Sequence, residues 1–179
     1  SIIASNNLTT DQYEMFGVYM ETQGNKPYLF AGNIYAPNKG EYTDYDIPPD
    51  ALTDPDFAAL IKEAEKYLGY PYVWGGSSPS TSFDCSGFVC WVLRESGVYN
   101  IGRTTAQGIF NECAKIPPSE SRPGDIIFFT GTYASSGAVS HVGIYVGNGM
   151  MIHCGNPIQY ASVNSPYWTE HFYAYGRLN

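Results

Sequence analysis

Asp84-Cys85-Ser86-Gly87-Phe88-Val89 marks the beginning of a predicted helix and carries a candidate nucleophile. Asp84 is a typical N-cap residue, and Gly97 ends an apolar pattern at helical spacing formed by Phe88, Val89, Val92 and Leu93. The Cys85 thiol then lies in the first turn, near unpaired backbone N–H groups and the positive end of the helix dipole. Such surroundings lower the pKa of a thiol and favour the thiolate. The alternative is an ordinary buried cysteine.

The elements around this helix indicate an α+β domain. An earlier helix begins at Asp54-Pro55-Asp56 and ends at Gly69, with its apolar residues at helical spacing. After residue 123 the pattern changes to strands, predicted at residues 125–130, 141–146, 150–154 and 173–178. Helices followed by an antiparallel sheet are typical of the α+β class, and the compact domain is predicted to span residues 54–179.

A cysteine nucleophile needs a base, and the chain has three histidines. His141 opens a strand in which Val142, Ile144 and Val146 face the core, so His141 lies on the opposite face with Gly143. The alternative for His141 is a polar residue at a strand end. His171 is predicted to have no part in the chemistry, because it lies in a polar segment near the end of the chain.

The register of the hairpin decides whether His153 can assist His141. A two-residue turn at Asn148-Gly149 pairs Gly147 with Met150 and puts the two histidines on opposite faces. A three-residue loop pairs Gly143 with His153 and puts both histidines on one face as diagonal neighbours. Local turn preference favours the first register and catalysis requires the second. We predict the second, with a glycine bulge at Gly149.

Residues 1–53 read as an acidic, tyrosine-rich extension. The chain carries a net charge of −8 from 9 basic and 17 acidic residues, and 9 of the acidic residues and 2 lysines lie in residues 1–56. A short helix is predicted from Thr9 or Thr10 to about Gln23. The remainder is a linker to a further domain upstream, an arm lying on the domain, or a lid over a groove.

The same counts exclude several classes of partner and site. No basic patch is large enough to follow a nucleic acid, and no apolar run approaches the ~20 residues that span a bilayer. No signal peptide is visible. The four cysteines do not have the spacing of a structural zinc site. Cys90, Cys113 and Cys154 are predicted to be buried free thiols, although an even count permits two disulfides.

Five motifs occur in order along the chain. They are Tyr72-Val73-Trp74-Gly75-Gly76, Asp84-Cys85-Ser86-Gly87-Phe88-Val89, Arg122-Pro123-Gly124-Asp125-Ile126-Ile127-Phe128-Phe129, His141-Val142-Gly143-Ile144-Tyr145 and Met151-Ile152-His153. Together they resemble the motifs of the NlpC family (with its p-sixty relatives) of bacterial cell-wall cysteine peptidases. The resemblance covers about residues 55–178.

This resemblance implies a reduced papain-like fold, in which the helix with the nucleophile packs on an antiparallel sheet. By position, Cys85 would be the nucleophile, His141 the general base and acid, and His153 the polar residue that orients His141. Tyr72, Asp84 and Ser86 match positions that shape the site and contact substrate. Asp84 and Ser86 would suit the free amine of an L-Ala-γ-D-Glu stem peptide.

The implied activity is hydrolysis of peptidoglycan stem peptides between D-glutamate and the diamino acid, at the cell wall or outside the cell. Thiolate attack would give a thioester that water then hydrolyses, with no metal or organic cofactor. Two other functions stay open. The same dyad could serve an amidase or an acyltransferase, or the domain could bind the wall without cleaving it, with tyrosines supplying the contact surface.

Overall fold

The computed structural model describes residues 41–135 and 137–178, and its mixture of helices with an antiparallel sheet confirms the predicted α+β class. The helix predicted between Thr9 or Thr10 and Gln23 lies outside the described residues. Within them, no helix has both the length and the apolar character needed to cross a bilayer.

Two of the four α-helices within residues 41–135 and 137–178 were predicted from the sequence. Helix α1 spans Pro55–Ala64 and continues as a 3-10 turn at Glu65–Tyr67, before Gly69 adopts a φ of +90°. Helix α2 spans Cys85–Glu95, and Gly97 follows with a φ of +79°. Helices α3 (Ala106–Glu112) and α4 (Pro166–His171) were missed, because each is too short to show a helical period.

In the part of the chain that the structure describes, eight strands form one small and one large sheet. The small sheet pairs β1 (Ser77–Ser78) with β2 (Ser82–Phe83) just before α2. The large sheet is antiparallel throughout and has the order β3-β8-β4-β5-β6-β7. Its strands are β3 (Ala114–Ile116), β4 (Ile126–Phe129), β5 (His141–Gly147), β6 (Met150–Cys154), β7 (Ile158–Ser162) and β8 (Phe172–Arg177).

The four predicted strands of the large sheet are all present, and the two edge strands, β3 and β7, were missed. Strand β3 has only three residues and little burial, so its sequence carries no alternating apolar signal. Strand β7 alternates buried and part-buried residues, but it directly follows Gly155, Asn156 and Pro157, which read as a turn.

The hairpin of β5 and β6 combines features of both predicted registers. Asn148 and Gly149, both with positive φ, form the two-residue turn, and Gly147 pairs with Met150. The register then shifts between Tyr145 and Gly147, so that Gly143 pairs with His153. The predicted pairing of Gly143 with His153 is confirmed. The predicted position of the bulge is wrong, because the extra residue is Val146 and not Gly149.

The sheet separates two apolar clusters. The larger cluster packs α1, α2 and α3 on one face and includes Phe57, Phe88, Val142 and Ile144. The smaller cluster lies on the other face, under α4, and includes Ile127, Phe129, Met151 and Trp168. Burying one such side chain contributes about 1.5–3 kcal/mol, so both faces contribute to holding β5 and β6 in place.

Residues 41–53, the end of the predicted extension, pack against the domain. The backbone N–H of Tyr160 in β7 donates to the Thr43 carbonyl oxygen, and the Tyr45 ring lies 5.8 Å from the Tyr160 ring. Tyr42, Ile47 and Ala51 pack on the larger cluster. This segment therefore covers the outer edge of β7, as an arm lying on the domain would, while the domain boundary at residue 53 stays a prediction.

Candidate active site

The local structure around Cys85 is set by the cap of α2. The Asp84 carboxylate accepts a hydrogen bond of 2.7 Å from the backbone N–H of Gly87, as an N-cap residue does. Gly87 is required there, because a Cβ atom at this position would collide with the carbonyl oxygen of Gly76. Cys85 therefore begins α2 at the point where the loop of Gly75 and Gly76 packs tightly against the helix.

The surroundings of the Cys85 thiol raise its pKa to about 12. Burial is the main cause and the negative charge of Asp84 is the second, whereas the backbone N–H groups of Val142 and Ser86 and the charge of Arg103 act in the opposite direction. The prediction of a lowered pKa is therefore wrong for this conformation, since desolvation outweighs the donors at the helix start. The thiol is protonated at neutral pH.

The hydrogen bond from Val142 also locates the Cys85 sulfur relative to the histidines. Val142 is the second residue of β5 and directly follows His141, so the sulfur lies at the beginning of that strand. The structure thus brings Cys85 to the end of β5 at which His141 stands.

His141 and His153 form a buried hydrogen-bonded pair. Nε2 of His141 lies 2.8 Å from Nδ1 of His153, and the two rings are nearly perpendicular. Burial lowers the pKa of His153 to about 3, and burial together with the neighbouring His153 lowers the pKa of His141 well below its ordinary value. Both rings are therefore neutral at neutral pH, and one donates its N–H to the other.

Aromatic rings enclose this pair from the side of α4. The Trp168 ring stacks on His141 with centroids 5.2 Å apart and meets the edge of His153 at the same distance. Phe129, paired with His141 across β4 and β5, adds a third ring. The sequence-based interpretation missed Trp168. Its only signal was a tryptophan among polar residues, because α4 was not predicted.

A groove of about 510 Å³ opens beside Cys85. One wall is the start of α2 with Trp74, and the other includes Tyr133, whose ring lies 5.8 Å from that of Trp74. No residue of the segment 41–53 lines the groove. Tyr72 is buried, and burial together with the neighbouring acidic groups of Cys85 and Asp84 raises its pKa well above the ordinary value, so its hydroxyl lies near the nucleophile.

Asp84, Ser86 and Arg103 form a charged network in the wall of the groove. Arg103 holds Asp84 with two hydrogen bonds of 2.8 and 2.9 Å and donates to the Ser86 hydroxyl at 2.9 Å. Asp84 also accepts from the backbone N–H of Gly75. The sequence-based interpretation missed Arg103, whose part follows only from contacts with residues far from it in the chain.

Comparison with known proteins matches residues 69–177 to the model of the NlpC/P60 family. The chain belongs to the NlpC/P60 family. The predicted resemblance is thereby confirmed.

Among NlpC/P60 relatives, the chain is 42% identical over 137 residues to the bifunctional muramidase/DL-endopeptidase CwlT of Bacillus subtilis (strain 168). It is 41% identical over 120 residues to the probable endopeptidase p60 of Listeria seeligeri. These matches cover 76% and 66% of this chain but only 41% and 22% of the relatives.

The fold agrees with solved NlpC/P60 structures. One is the crystal structure of a lipoprotein-like member of the NLP/P60 family from Staphylococcus aureus subsp. aureus Mu50. This chain matches it with a TM-score of 0.67 and a sequence identity of 29%. The alignment covers 98% of this chain and 64% of that one. The reduced papain-like architecture predicted from the sequence is that of this family.

Proposed function

We propose that this chain is a cysteine endopeptidase that hydrolyses peptidoglycan stem peptides between γ-D-glutamate and the diamino acid. The observation that carries the proposal is the buried pair of His141 and His153 at the end of β5 where the Cys85 sulfur lies beside an open groove. The DL-endopeptidase named among the relatives supports this bond, and the site of action would be the cell wall, outside the cell.

The reaction begins from a neutral thiol and a neutral imidazole. Because the pKa of Cys85 is raised and that of His141 is lowered, a stable thiolate–imidazolium pair is disfavoured in the free site. His141 therefore takes the thiol proton as the sulfur attacks the amide carbonyl, acting as a general base during bond formation. His153, through its hydrogen bond to Nε2, keeps the other nitrogen of His141 available for this proton.

The backbone N–H groups of Ser86, at the start of α2, and of Val142, in β5, would stabilise the oxyanion of the tetrahedral intermediate. Both donate to the sulfur in the free site, so they lie within a few ångströms of the reacting carbon. His141 then protonates the leaving amine of the diamino acid. Water, deprotonated by His141, hydrolyses the thioester and releases the glutamyl carboxylate and the free thiol.

The decisive experiment compares Cys85→Ala with Cys113→Ala on a purified stem tetrapeptide, with products identified by mass spectrometry. Cys113 is a matched control, because it is a free cysteine beyond the end of α3 and does not line the groove. Cys85→Ala should abolish cleavage, whereas Cys113→Ala should cleave like the unmodified protein. Cleavage by the Cys85 variant would contradict the proposal.

The products separate this proposal from its rivals. Release of L-Ala-γ-D-Glu supports the endopeptidase, a free stem released from the sugar indicates an amidase, and a new amide with an added amine indicates an acyltransferase. Tight retention of an uncleaved stem peptide by the unmodified protein would favour a wall-binding domain.

A further inference from the structure

Arg103 makes five polar contacts with the segments around Cys85. Its terminal nitrogens donate to both Asp84 carboxylate oxygens, the Ser86 hydroxyl and the carbonyl oxygens of Gly76 and Thr104. These five contacts join the loop before α2, the first turn of α2 and the segment before α3. Both terminal nitrogens bind protein groups, so the guanidinium is held in place beside Asp84 and Ser86.

The neighbour that needs this guanidinium is Asp84. Its carboxylate caps α2, which stabilises the helix that carries Cys85. Asp84 is also the residue directly before the nucleophile, and its negative charge opposes formation of the thiolate. The Asp84 side chain therefore stabilises the start of α2 and, at the same time, disfavours the thiolate form of Cys85.

We propose that Arg103 is a positioning residue for Cys85, which neutralises and orients the Asp84 carboxylate so that the cap is kept without its charge opposing thiolate formation. The inference rests on the proposed function only in taking Cys85 as the nucleophile. Arg103 acts through Asp84 and does not itself contact the scissile bond. The contacts suit this part, because one terminal nitrogen of Arg103, Nη2, donates to both oxygens of the Asp84 carboxylate.

The backbone N–H groups of Val142 and Ser86 also lower the pKa of Cys85, but the other side chains that face it carry no compensating charge. The hydroxyls of Tyr72 and Tyr133 lie near the sulfur, and both have raised pKa values, so they are neutral. His141 is neutral as well, for the reason given above. Of the side chains named here, Arg103 carries the positive charge, and that charge lowers the pKa of the Cys85 thiol.

The test measures alkylation of Cys85 by iodoacetamide in the full chain, by peptide mass spectrometry, between pH 7 and 9. The variants are Arg103→Met, Arg103→Lys, Asp84→Asn and the double variant Arg103→Met with Asp84→Asn. Asn is close to Asp in shape and is an equally good N-cap, so the double variant removes both charges and keeps the cap. Circular dichroism checks that each variant is folded.

Arg103→Met should slow alkylation of Cys85 by about tenfold, which corresponds to a rise of about one unit in the thiol pKa. Asp84→Asn should speed it, and the double variant should return to within about threefold of the unmodified rate, since coupled residues deviate from additivity. Arg103→Lys keeps the charge but not the planar guanidinium with its two terminal nitrogens, so its alkylation rate should lie between those of the unmodified protein and Arg103→Met.

Two results would overturn the inference. In the first, Cys85 is alkylated in Arg103→Met and in Arg103→Lys at the same rate as in the unmodified protein. In the second, Cys85 in the double variant is alkylated as slowly as in Arg103→Met alone, which would indicate that Arg103 only supports the loop. Alkylation does not depend on peptide cleavage. A protein that cleaves no stem peptide but shows the expected alkylation pattern would therefore refute the proposed function and leave the inference about Arg103 standing.

Discussion

Gly143 of β5 and His153 of β6 are direct partners across the hairpin, and a bulge at Val146 makes them so. Without the extra residue, the turn at Asn148 and Gly149 would pair Ile144 with His153 and turn the two imidazoles to opposite faces of the sheet. The hydrogen bond between His141 and His153 therefore depends on one irregular residue, which lies about 10 Å along β5 from Gly143.

We expect Gly143→Ala to disturb this pair. A Cβ atom at residue 143 would lie 3.1 Å from Cβ of His153 and 3.1 Å from Sδ of Met151, which is too close for an ordinary contact. The displaced His153 ring would orient His141 less well, so kcat on a stem tetrapeptide should fall about tenfold with little change in KM. Steady-state kinetics measure both constants.

Gly102→Ala is the matched control for that variant, because a Cβ atom at residue 102 meets nothing within 4 Å. It should leave kcat unchanged. If Gly143→Ala were equally silent, the close packing of β5 against His153 would have no part in positioning the imidazoles.

The two histidines should differ in what their removal costs. His141→Ala removes the base and acid itself and should lower kcat/KM by about 10³-fold, whereas His153→Ala removes only the orienting hydrogen bond and should cost less, about 10- to 100-fold. His153→Gln, which can still hydrogen-bond Nε2 of His141, should recover part of the loss.

His171→Gln provides the control for these measurements. His171 lies at the end of α4 with its Nδ1 atom 2.8 Å from the Thr130 carbonyl oxygen, and it does not line the groove. Its replacement should leave kcat/KM unchanged. A larger loss for His153→Ala than for His141→Ala would refute the assignment of roles.

The buried histidines should make the fold sensitive to acid. Their pKa values are lowered in the folded state, to about 3 for His153, so below the ordinary value of 6.5 only the unfolded chain takes up these protons. Each histidine should cost on the order of 1 kcal/mol of unfolding free energy per pH unit as the pH falls from 6.5, and the cost is absent above 6.5. Urea unfolding at several pH values measures this slope.

Between pH 6.5 and 4.5, the pH dependence of the unfolding free energy that comes from the histidines can be measured apart from that of Glu63. The lowered pKa of Glu63 acts with the same sign, but only as the pH falls below its ordinary value of 4.5. His153→Gln should therefore give a shallower slope between pH 6.5 and 4.5 than the unmodified protein. An identical slope in both would show that burial of His153 is not a source of acid sensitivity.

Acetylation of the substrate's amino terminus tests the predicted contact of Asp84 and Ser86 with a free amine. Both carboxylate oxygens of Asp84 already accept hydrogen bonds from the protein, and Arg103 neutralises its charge. If Asp84 nevertheless binds the ammonium group, N-acetyl stem tetrapeptide should lose about 10²-fold or more in kcat/KM against the free peptide. If the two kcat/KM values differ by less than about threefold, Asp84 and Ser86 do not bind the free amine, since an unpaired buried polar group should lower kcat/KM by more than that.

Much of this architecture follows from local sequence. Asp84 and Gly97 bound α2, alternation defines β5, and five motifs in order name the family, because caps, turns and periodicity act between residues close in the chain. For the same reason the helix-start position of Cys85 and the strand-end position of His141 are predictable without coordinates.

Tertiary structure decided the rest. The bulge at Val146 leaves the locally preferred two-residue turn in place and shifts the register beyond it, and packing on both faces of the sheet stabilises it. The raised pKa of Cys85, the stacking of Trp168 on His141 and the ion pair of Arg103 with Asp84 depend on burial and on contacts between distant segments. Desolvation is a property of the folded interior, so the helix start alone could not reveal that the thiol rests in its protonated form.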